Sequence, residues 1–308
     1  MITFVKAPAT AGENADQWMN TGEMKNHGFE LNIGYRSPKY GDFSWDGNIN
    51  FSAYRNEVVK LNDDAVYQQA SMFEGSGGIR LQEGEPMGVY YGYVCDGIFQ
   101  NEDQVLNHAQ QAGKGVGRLI FRDIEGNGVV DADDRCIIGD PNPDFSMGLT
   151  LTANYKNWTL STFFSGDFGF DIINTTRRQL EFISYGNTYT NRGADVLDAW
   201  RPDNTGASIP ALTTVDDNNE RRMSTYFVED GSYFKCKYLK LSYAFDQPWM
   251  KTIGLSAMSI YGQVENLFTI TSYKGLDPEV PMSTYGSRLD AGPYPRARTF
   301  SLGLNVQF

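Results

Sequence analysis

The sequence predicts an all-β protein in which about eight antiparallel strands run up and down, as in a transmembrane β-barrel. Two observations predict this fold. Apolar and polar residues alternate one by one in several long runs, which is the period of a strand with two different faces. The connections between these runs are alternately short and long, which is typical of a barrel with turns at one rim and loops at the other.

The clearest alternating run ends the chain, at residues 298–308. Small or polar residues separate its apolar side chains, which we expect to face lipid: Phe300, Leu302, Leu304, Val306 and Phe308. Further runs of this kind cover residues 27–36, 42–55, 144–155, 158–168, 233–245 and 256–268. Their lengths are close to the roughly 9–11 tilted residues that cross a bilayer. An ordinary β-sandwich would show the same alternation, so this pattern alone does not establish a membrane protein.

The connections favour the barrel. The short connections are residues 37–41, 156–157 and 246–254. Each of them joins two runs, and a long connection follows the second run of each pair. A sandwich has no need for such an arrangement, because its loops can be long at either end. Aromatic residues lie close together beside the two tightest turns, where they would form an interfacial girdle. These residues are Tyr35, Phe43, Trp45, Tyr155 and Trp158.

Composition excludes some functions. The formal charge of −12 argues against binding to nucleic acid, which needs a basic surface. No apolar run approaches the roughly 20 residues of a membrane helix, and the first residues do not resemble a secretory signal. The three cysteines match neither a disulfide framework nor a metal motif, and a bond between Cys95 and Cys136 stays open.

Several collinear segments resemble SusC/RagA-like TonB-dependent transporters. They are NTGEMKNHGFELNIGYR (20–36), EPMGVYYGYVCDGIFQ (85–100), the stretch from FRDIEGNGVVDADD to FDIINTTR (121–177), VEDGSYFKCKYLKLSYAF (228–245), GQVENLFTITSYKGLDPEV (262–280) and RTFSLGLNVQF. The resemblance covers nearly the whole chain and identifies residues 1–308 as the C-terminal portion of such a barrel. The signal peptide, the plug domain and the N-terminal strands are expected to be absent.

The resemblance implies a complete barrel of about 22 strands with a plug. It also implies a Gram-negative, Bacteroidetes-like outer membrane as the location, a SusD-like lipoprotein lid and a TonB complex that acts through the missing N-terminal part. The ligand would be an oligosaccharide or a peptide, and outer-membrane lipid would surround the wall. No enzymatic activity is expected.

The segment DIEGNGVVDADD (123–134) has the ligand spacing of an EF-hand-type calcium loop. Six residues would supply the ligands: Asp123, Glu125, Asn127, the carbonyl of Val129, Asp131 and Asp134. Gly128 stands at the sixth place, where the loop turns sharply. Glu at the third place and Asp at the twelfth depart from the usual pattern. We expect a structural calcium ion here, while an acidic turn without metal is the alternative.

The long loops carry two predicted helical segments, 101–113 and 194–204. They also carry aromatic residues that would contact a ligand or the lid: Tyr90, Tyr91, Tyr93, Tyr185, Tyr189 and Trp200. Packing of these rings among the loops is equally compatible with the sequence. Glu181, Asp195 and Asp198 have the chemistry of acid–base catalysts, but carboxylates are common on exposed loops.

Three functions fit these observations. The first is the barrel segment of an outer-membrane, TonB-dependent importer of glycans or peptides. The second is a small stand-alone outer-membrane barrel, and the third is a secreted calcium-binding β-domain that recognises carbohydrate.

Overall fold

The computed structural model describes residues 2–6, 16–20, 22–61, 67–69, 73, 77–184, 191–283 and 286–308. Side chains are described in all of these ranges except 2–6, 16–20 and 67–69. The dominant element is a seven-stranded antiparallel sheet, in which neighbouring strands follow one another in chain order. Its strands are β3 (Gly22–Arg36), β4 (Phe43–Leu61), β11 (Phe145–Tyr155), β12 (Trp158–Phe168), β15 (Tyr233–Phe245), β16 (Ala257–Thr271) and β18 (Thr299–Gln307).

The sheet confirms the predicted up-and-down order, with seven strands among the described residues where about eight were expected. An additional pair of strands, β1 (Ile2–Lys6) with β2 (Asp16–Asn20), precedes β3 and forms a sheet of its own. The last strand ends one residue before the C-terminus, so Phe308 lies just outside it.

The pairing register places the alternating apolar residues of all seven strands on one face. Residues directly opposite each other in an antiparallel pair point to the same side of the sheet. One row joins Ile33, Ile49 and Leu149, and another joins Ile260 to Leu304. Large members of this face expose more than a third of their surface: Phe29, Leu31, Ile33, Tyr35, Phe43, Trp45, Ile49, Tyr155, Trp158, Leu160, Leu241, Ile260, Phe300, Leu302, Leu304 and Val306. A sandwich core would bury such a face, so these side chains need an apolar partner outside the described chain.

The opposite face is polar. One row across the sheet carries the side chains of Arg36, Asp46, Thr152, Ser161, Lys240, Gln263 and Ser301. Within this face, the Asn48 amide donates a hydrogen bond to Asn32 at 2.7 Å, and the Lys240 ammonium lies 4.1 Å from the ring centre of Tyr261. The two faces of the sheet therefore differ as those of a barrel wall do, with lipid on one side and water on the other.

The connections alternate as predicted. Residues 37–42, 156–157 and 246–256 join strands at one rim, and the third of these contains the short helix α3 (Pro248–Thr252). The aromatic residues predicted for this rim are exposed there. Tyr35 packs against Trp45 with ring centres 5.0 Å apart, and Trp158 packs against Tyr243 at 4.8 Å.

The opposite ends of the strands extend into the long loops. Val58 and Leu61 at the end of β4 are buried with Leu81, whereas the apolar residues nearer the turns are exposed. The loops contain short strands: β5 (Tyr67–Gln69), β6 (Gly78–Leu81), β7 (Val89–Gly92), β8 (Cys95–Ile98), β9 (Leu119–Phe121), β10 (Cys136–Gly139), β13 (Asp171–Asn174), β14 (Val228–Asp230) and β17 (Leu289–Asp290). These pair as sheets β10-β7-β6-β5, β14-β13-β17 and β8-β9.

Two α-helices also lie in the loops, α1 (Glu102–Asn107) and α2 (Thr176–Glu181). The first confirms the helical segment predicted at 101–113, and the second predicted segment contains a 3-10 helix, Ala194–Asp198. Both are shorter than expected. None of the helices in the described ranges is long and apolar enough to cross a bilayer. All three cysteines are free thiols, so no disulfide joins Cys95 to Cys136.

We expect Leu304→Arg to destabilise the sheet in a bilayer because it places a charge on the apolar face, by about 2–4 kcal/mol if the residue lies near the membrane centre. The matched control is Asn305→Arg, whose side chain lies on the polar face of the same strand. Denaturant unfolding of the full-length receptor in lipid vesicles measures both effects. Equal destabilisation by the two substitutions would contradict a lipid-facing wall.

Candidate functional site

The three long connections pack together at the loop side of the sheet, and we call their described residues the loop cap: 67–69, 73, 77–144, 169–232, 272–283 and 286–298. Its largest hydrophobic cluster joins the first two connections through buried side chains: Phe73, Tyr90, Tyr93, Ile98, Leu119, Phe121, Ile173, Phe182, Trp200, Met223 and Phe227. Leu289 of the third connection packs against this cluster. The main apolar core of the described chain therefore lies in the cap, and the sheet face stays exposed.

Three of the aromatic residues predicted to contact a ligand or lid belong to this core. Tyr90 is fully buried, and its hydroxyl donates to the carbonyl oxygens of Asp171 and Arg288 at 2.9 and 3.1 Å. Burial raises the pKa of Tyr90 far above its ordinary value. Tyr93 and Trp200 are also buried.

Packing between the loops accounts for these three side chains, because ring burial stabilises a cap that has little regular structure. Tyr91 is half-buried, with the Arg80 guanidinium 4.0 Å above its ring, and a ligand contact there stays a prediction. Tyr185 and Tyr189 lie outside the described residues.

The acidic segment 123–134 forms a turn held by its own carboxylates. Both oxygens of Asp123 accept backbone N–H groups, from Gly126 at 2.7 Å and from Gly128 at 2.8 Å. The buried carboxylate of Asp134 accepts from Ile124 at 2.6 Å and from Asp131 at 2.8 Å. Donation by Gly128 is the main reason why the pKa of Asp123 lies below its ordinary value.

The remaining predicted ligands lie on the surface of this turn. Glu125, Asn127, Val129 and Asp131 are exposed, and the Asn127 side chain accepts from the Val129 N–H at 2.8 Å. Within the described residues, no group of three or more His, Cys, Asp and Glu side chains is arranged to hold a metal ion. Calcium binding therefore stays a prediction.

Calorimetric titration of the metal-stripped, full-length receptor tests this prediction. We expect calcium uptake that Asp123→Ala abolishes, because the first ligand of the loop is lost. Asp103→Ala, which changes an exposed carboxylate of α1, is the matched control and should leave uptake intact. Absence of uptake by the unaltered receptor at millimolar calcium would refute the calcium loop.

An ion-pair network that the sequence reasoning missed fixes the third connection to the polar face of β15. The Lys235 side chain is almost completely buried, and its ammonium lies 2.7 Å from Glu279 and 3.4 Å from Asp277. Lys237 also pairs with Glu279, and the Arg296 guanidinium lies 3.4 Å from the same carboxylate. The signal for this network is the pair of lysines at 235 and 237, which are unusual in a run rich in aromatic residues.

Burial alone would raise the pKa of Glu279, but hydrogen bonds from Lys235 and Lys237 outweigh it and lower the pKa below its ordinary 4.5. A lowered pKa means that the carboxylate stabilises the folded state above pH 4.5. This contribution is lost as the pH falls through the lowered value.

Glu279→Gln should loosen the third connection, because it leaves the buried Lys235 without its nearest counter-ion. We expect about 1–3 kcal/mol of lost local stability, or roughly ten- to hundredfold faster amide exchange in 272–283 at neutral pH. Hydrogen–deuterium exchange of the full-length receptor measures this, with the exposed Glu30→Gln as control. In the unaltered protein, protection of the same segment should weaken only below pH 4.5. Unchanged exchange in Glu279→Gln would exclude a stabilising network.

Glu181, Asp195 and Asp198 line one polar cleft in the cap. Glu181 is held by a bidentate pair with Arg177, at 2.7 and 3.1 Å. Asp195 and Asp198 are exposed on the 3-10 helix. The pairing of Glu181 with a permanent cation argues against acid–base catalysis by this residue.

No protein-family model matches the chain. Known proteins of similar sequence are receptors. The chain is 35% identical to the TonB-dependent receptor P3 of Formosa agariphila over 305 residues, which are 96% of this chain and 30% of that protein. It is 32% identical to the TonB-dependent receptor SusC of Bacteroides thetaiotaomicron over 317 residues, covering 100% of this chain and 29% of SusC. The chain thus spans about a third of the length of these relatives.

Solved structures with a similar fold come from the RagAB peptide transporter. One of them covers 100% of this chain and 32% of its own, with a TM-score of 0.79 and 24% identity. The importer in its open-open state matches with a TM-score of 0.75. These structures confirm the all-β barrel fold, and the relatives of similar sequence confirm the resemblance seen in the sequence motifs. The chain is therefore SusC/RagA-like, and nearly all of it is similar to about a third of a TonB-dependent receptor, which is consistent with the C-terminal portion.

Proposed function

We propose that the chain forms part of the wall and external loops of an outer-membrane, TonB-dependent importer of nutrients. The observation that carries this proposal is the seven-stranded sheet with one exposed apolar face and one polar face. Hydrocarbon tails are the partner that such a face needs, because a closed barrel is one of only two structures that satisfy all backbone groups within a bilayer. The names of the similar receptors support the same function.

The polar face would line a wet lumen, and the loop cap would face the outside of the cell. The chain needs no bond chemistry for this role. Apolar side chains anchor the wall, the polar face keeps the lumen hydrated, and the cap contributes surface to ligand capture. Energy would come from a TonB complex acting on a plug encoded elsewhere in the receptor. Similarity to a third of much longer receptors supports this function over a small stand-alone barrel.

The proposed partner is a SusD-like lipoprotein that closes over the cap, and the proposed ligand is an oligosaccharide or a peptide. The names of two comparisons support these proposals. One similar protein is the TonB-dependent receptor SusC of Bacteroides thetaiotaomicron. The structure of similar fold is described as that of the RagAB peptide transporter. Calcium in the acidic segment would have a structural role in the cap.

Uptake by cells tests the import function. We expect a strain lacking the full-length receptor to lose uptake of one class of labelled oligosaccharide or oligopeptide, and complementation to restore it. Depletion of TonB should remove the same uptake, because the plug cannot be displaced without it. Uptake that persists without TonB would contradict the proposal, as would a receptor that stays folded and monomeric in buffer without amphiphile.

A further inference from the structure

We infer that a cleft in the loop cap binds the charged ends of a short peptide. This inference rests on the proposed import function and names its substrate class. The cleft lies between the second and third connections and has two adjoining lobes of about 430 and 450 Å³. Both lobes are lined by Arg177, Glu181, Asp195 and Lys274. A volume of this size is in the range of small-ligand sites.

The floor of the cleft is rigid, and its charges are already paired. Arg177 binds Glu181 in a bidentate manner, approaches Glu229 to 3.4 Å and lies 4.3 Å from the ring centre of Tyr226. Burial lowers the pKa of Arg177, but these partners outweigh it, so the guanidinium stays charged. The floor is therefore held in place by one guanidinium that lies between two carboxylates.

The walls are tied to this floor by hydrogen bonds. The backbone N–H of Lys274 donates to Glu229 at 3.0 Å, and that of Gly193, just before the 3-10 helix, donates to the Leu180 carbonyl at 3.0 Å. Thr175 fixes the far wall through a 2.7 Å hydrogen bond to the carbonyl of Asp290. The cleft is thus preorganised, which lowers the entropic cost of binding.

The side chains of the walls carry unpaired charges of both signs. Within the described ranges, Lys274 on one wall has no side-chain hydrogen bond or ion pair, and the same holds for Asp195 and Asp198 on the other. The charges do not pair across the opening, so a ligand with a carboxylate and an ammonium group can bind both walls. Each contact would be a charge-assisted hydrogen bond, roughly twice as strong as a neutral one.

The rim adds apolar surface. Leu180, Leu197 and Leu276 expose 44%, 74% and 73% of their surface around the opening or on the 3-10 helix that lines it. None of the described residues that line the cleft is aromatic. Unpaired charges of opposite sign on the two walls, together with aliphatic contacts at the rim, suit a peptide with free termini better than a neutral glycan.

Calorimetry on the full-length receptor in detergent tests the inference with trileucine as the probe. Trileucine with free termini should bind about tenfold more tightly than its C-terminal amide, because the amide cannot pair with Lys274. Lys274→Ala should cost about tenfold for the free peptide and leave the amide unchanged. Lys251→Ala, an exposed lysine of α3 at the opposite rim, is the matched control and should have no effect.

The acidic wall has its own test. The double substitution Asp195→Asn with Asp198→Asn should weaken free trileucine and leave the N-acetylated peptide unchanged, since that peptide has no terminal ammonium. Both substitutions are exposed and conservative in shape, and the thermal unfolding midpoint checks that folding is intact.

Two results would overturn the inference: equal affinities for free and capped peptides, or maltotriose bound as tightly as trileucine and weakened by Lys274→Ala. These outcomes are distinct from failure of the import proposal. TonB-dependent uptake that is insensitive to Lys274→Ala would refute only the cleft, whereas uptake that persists without TonB would refute the import proposal.

Discussion

The register of the seven-stranded sheet is the constraint on which the rest of the structure depends. Side chains alternate between faces with a period of two, so a slip of one residue in any strand pair would move its apolar residues to the polar side. The observed pairing keeps Ile33 beside Ile49 and Ile260 beside Leu304 across the sheet. One continuous apolar face results, and it stays exposed because no described element covers it. A lipid environment satisfies that face without a second protein layer.

The sheet also determines where the chain can build an ordinary core. Because one side of the sheet is apolar and exposed and the other is polar, the buried cluster forms where the long connections meet. Tyr90 illustrates the consequence, since its ring packs in the cluster while its hydroxyl bonds to two connections at once. The ion pairs of Lys235 with Glu279 and Asp277 fix the third connection to β15. Loops with little regular structure thereby become a rigid surface, which is what recognition requires.

Charge is distributed in the cap in two ways. In the floor of the cleft and beside β15, carboxylates are matched with arginine or lysine at close range, and these groups stabilise the loops. At Lys274, Asp195 and Asp198 the charges are unmatched and face a shared opening. Unpaired charge contributes little to folding stability at an exposed site. Its placement on opposite walls of one cleft is more readily explained by a ligand than by stability.

The sequence by itself determined the strands, their faces, the alternation of turns and loops, and the similarity to TonB-dependent receptors. The strands and their faces follow from local periodicity, whereas the similarity comes from sequence segments shared with those receptors. Only the tertiary structure decided that Tyr90, Tyr93 and Trp200 are buried, that Lys235 pairs with the third connection, and that Asp195 and Lys274 line one cleft. Those facts depend on contacts between residues far apart in the chain. In irregular loops no periodicity encodes such contacts, so a single sequence gives no local signal for them.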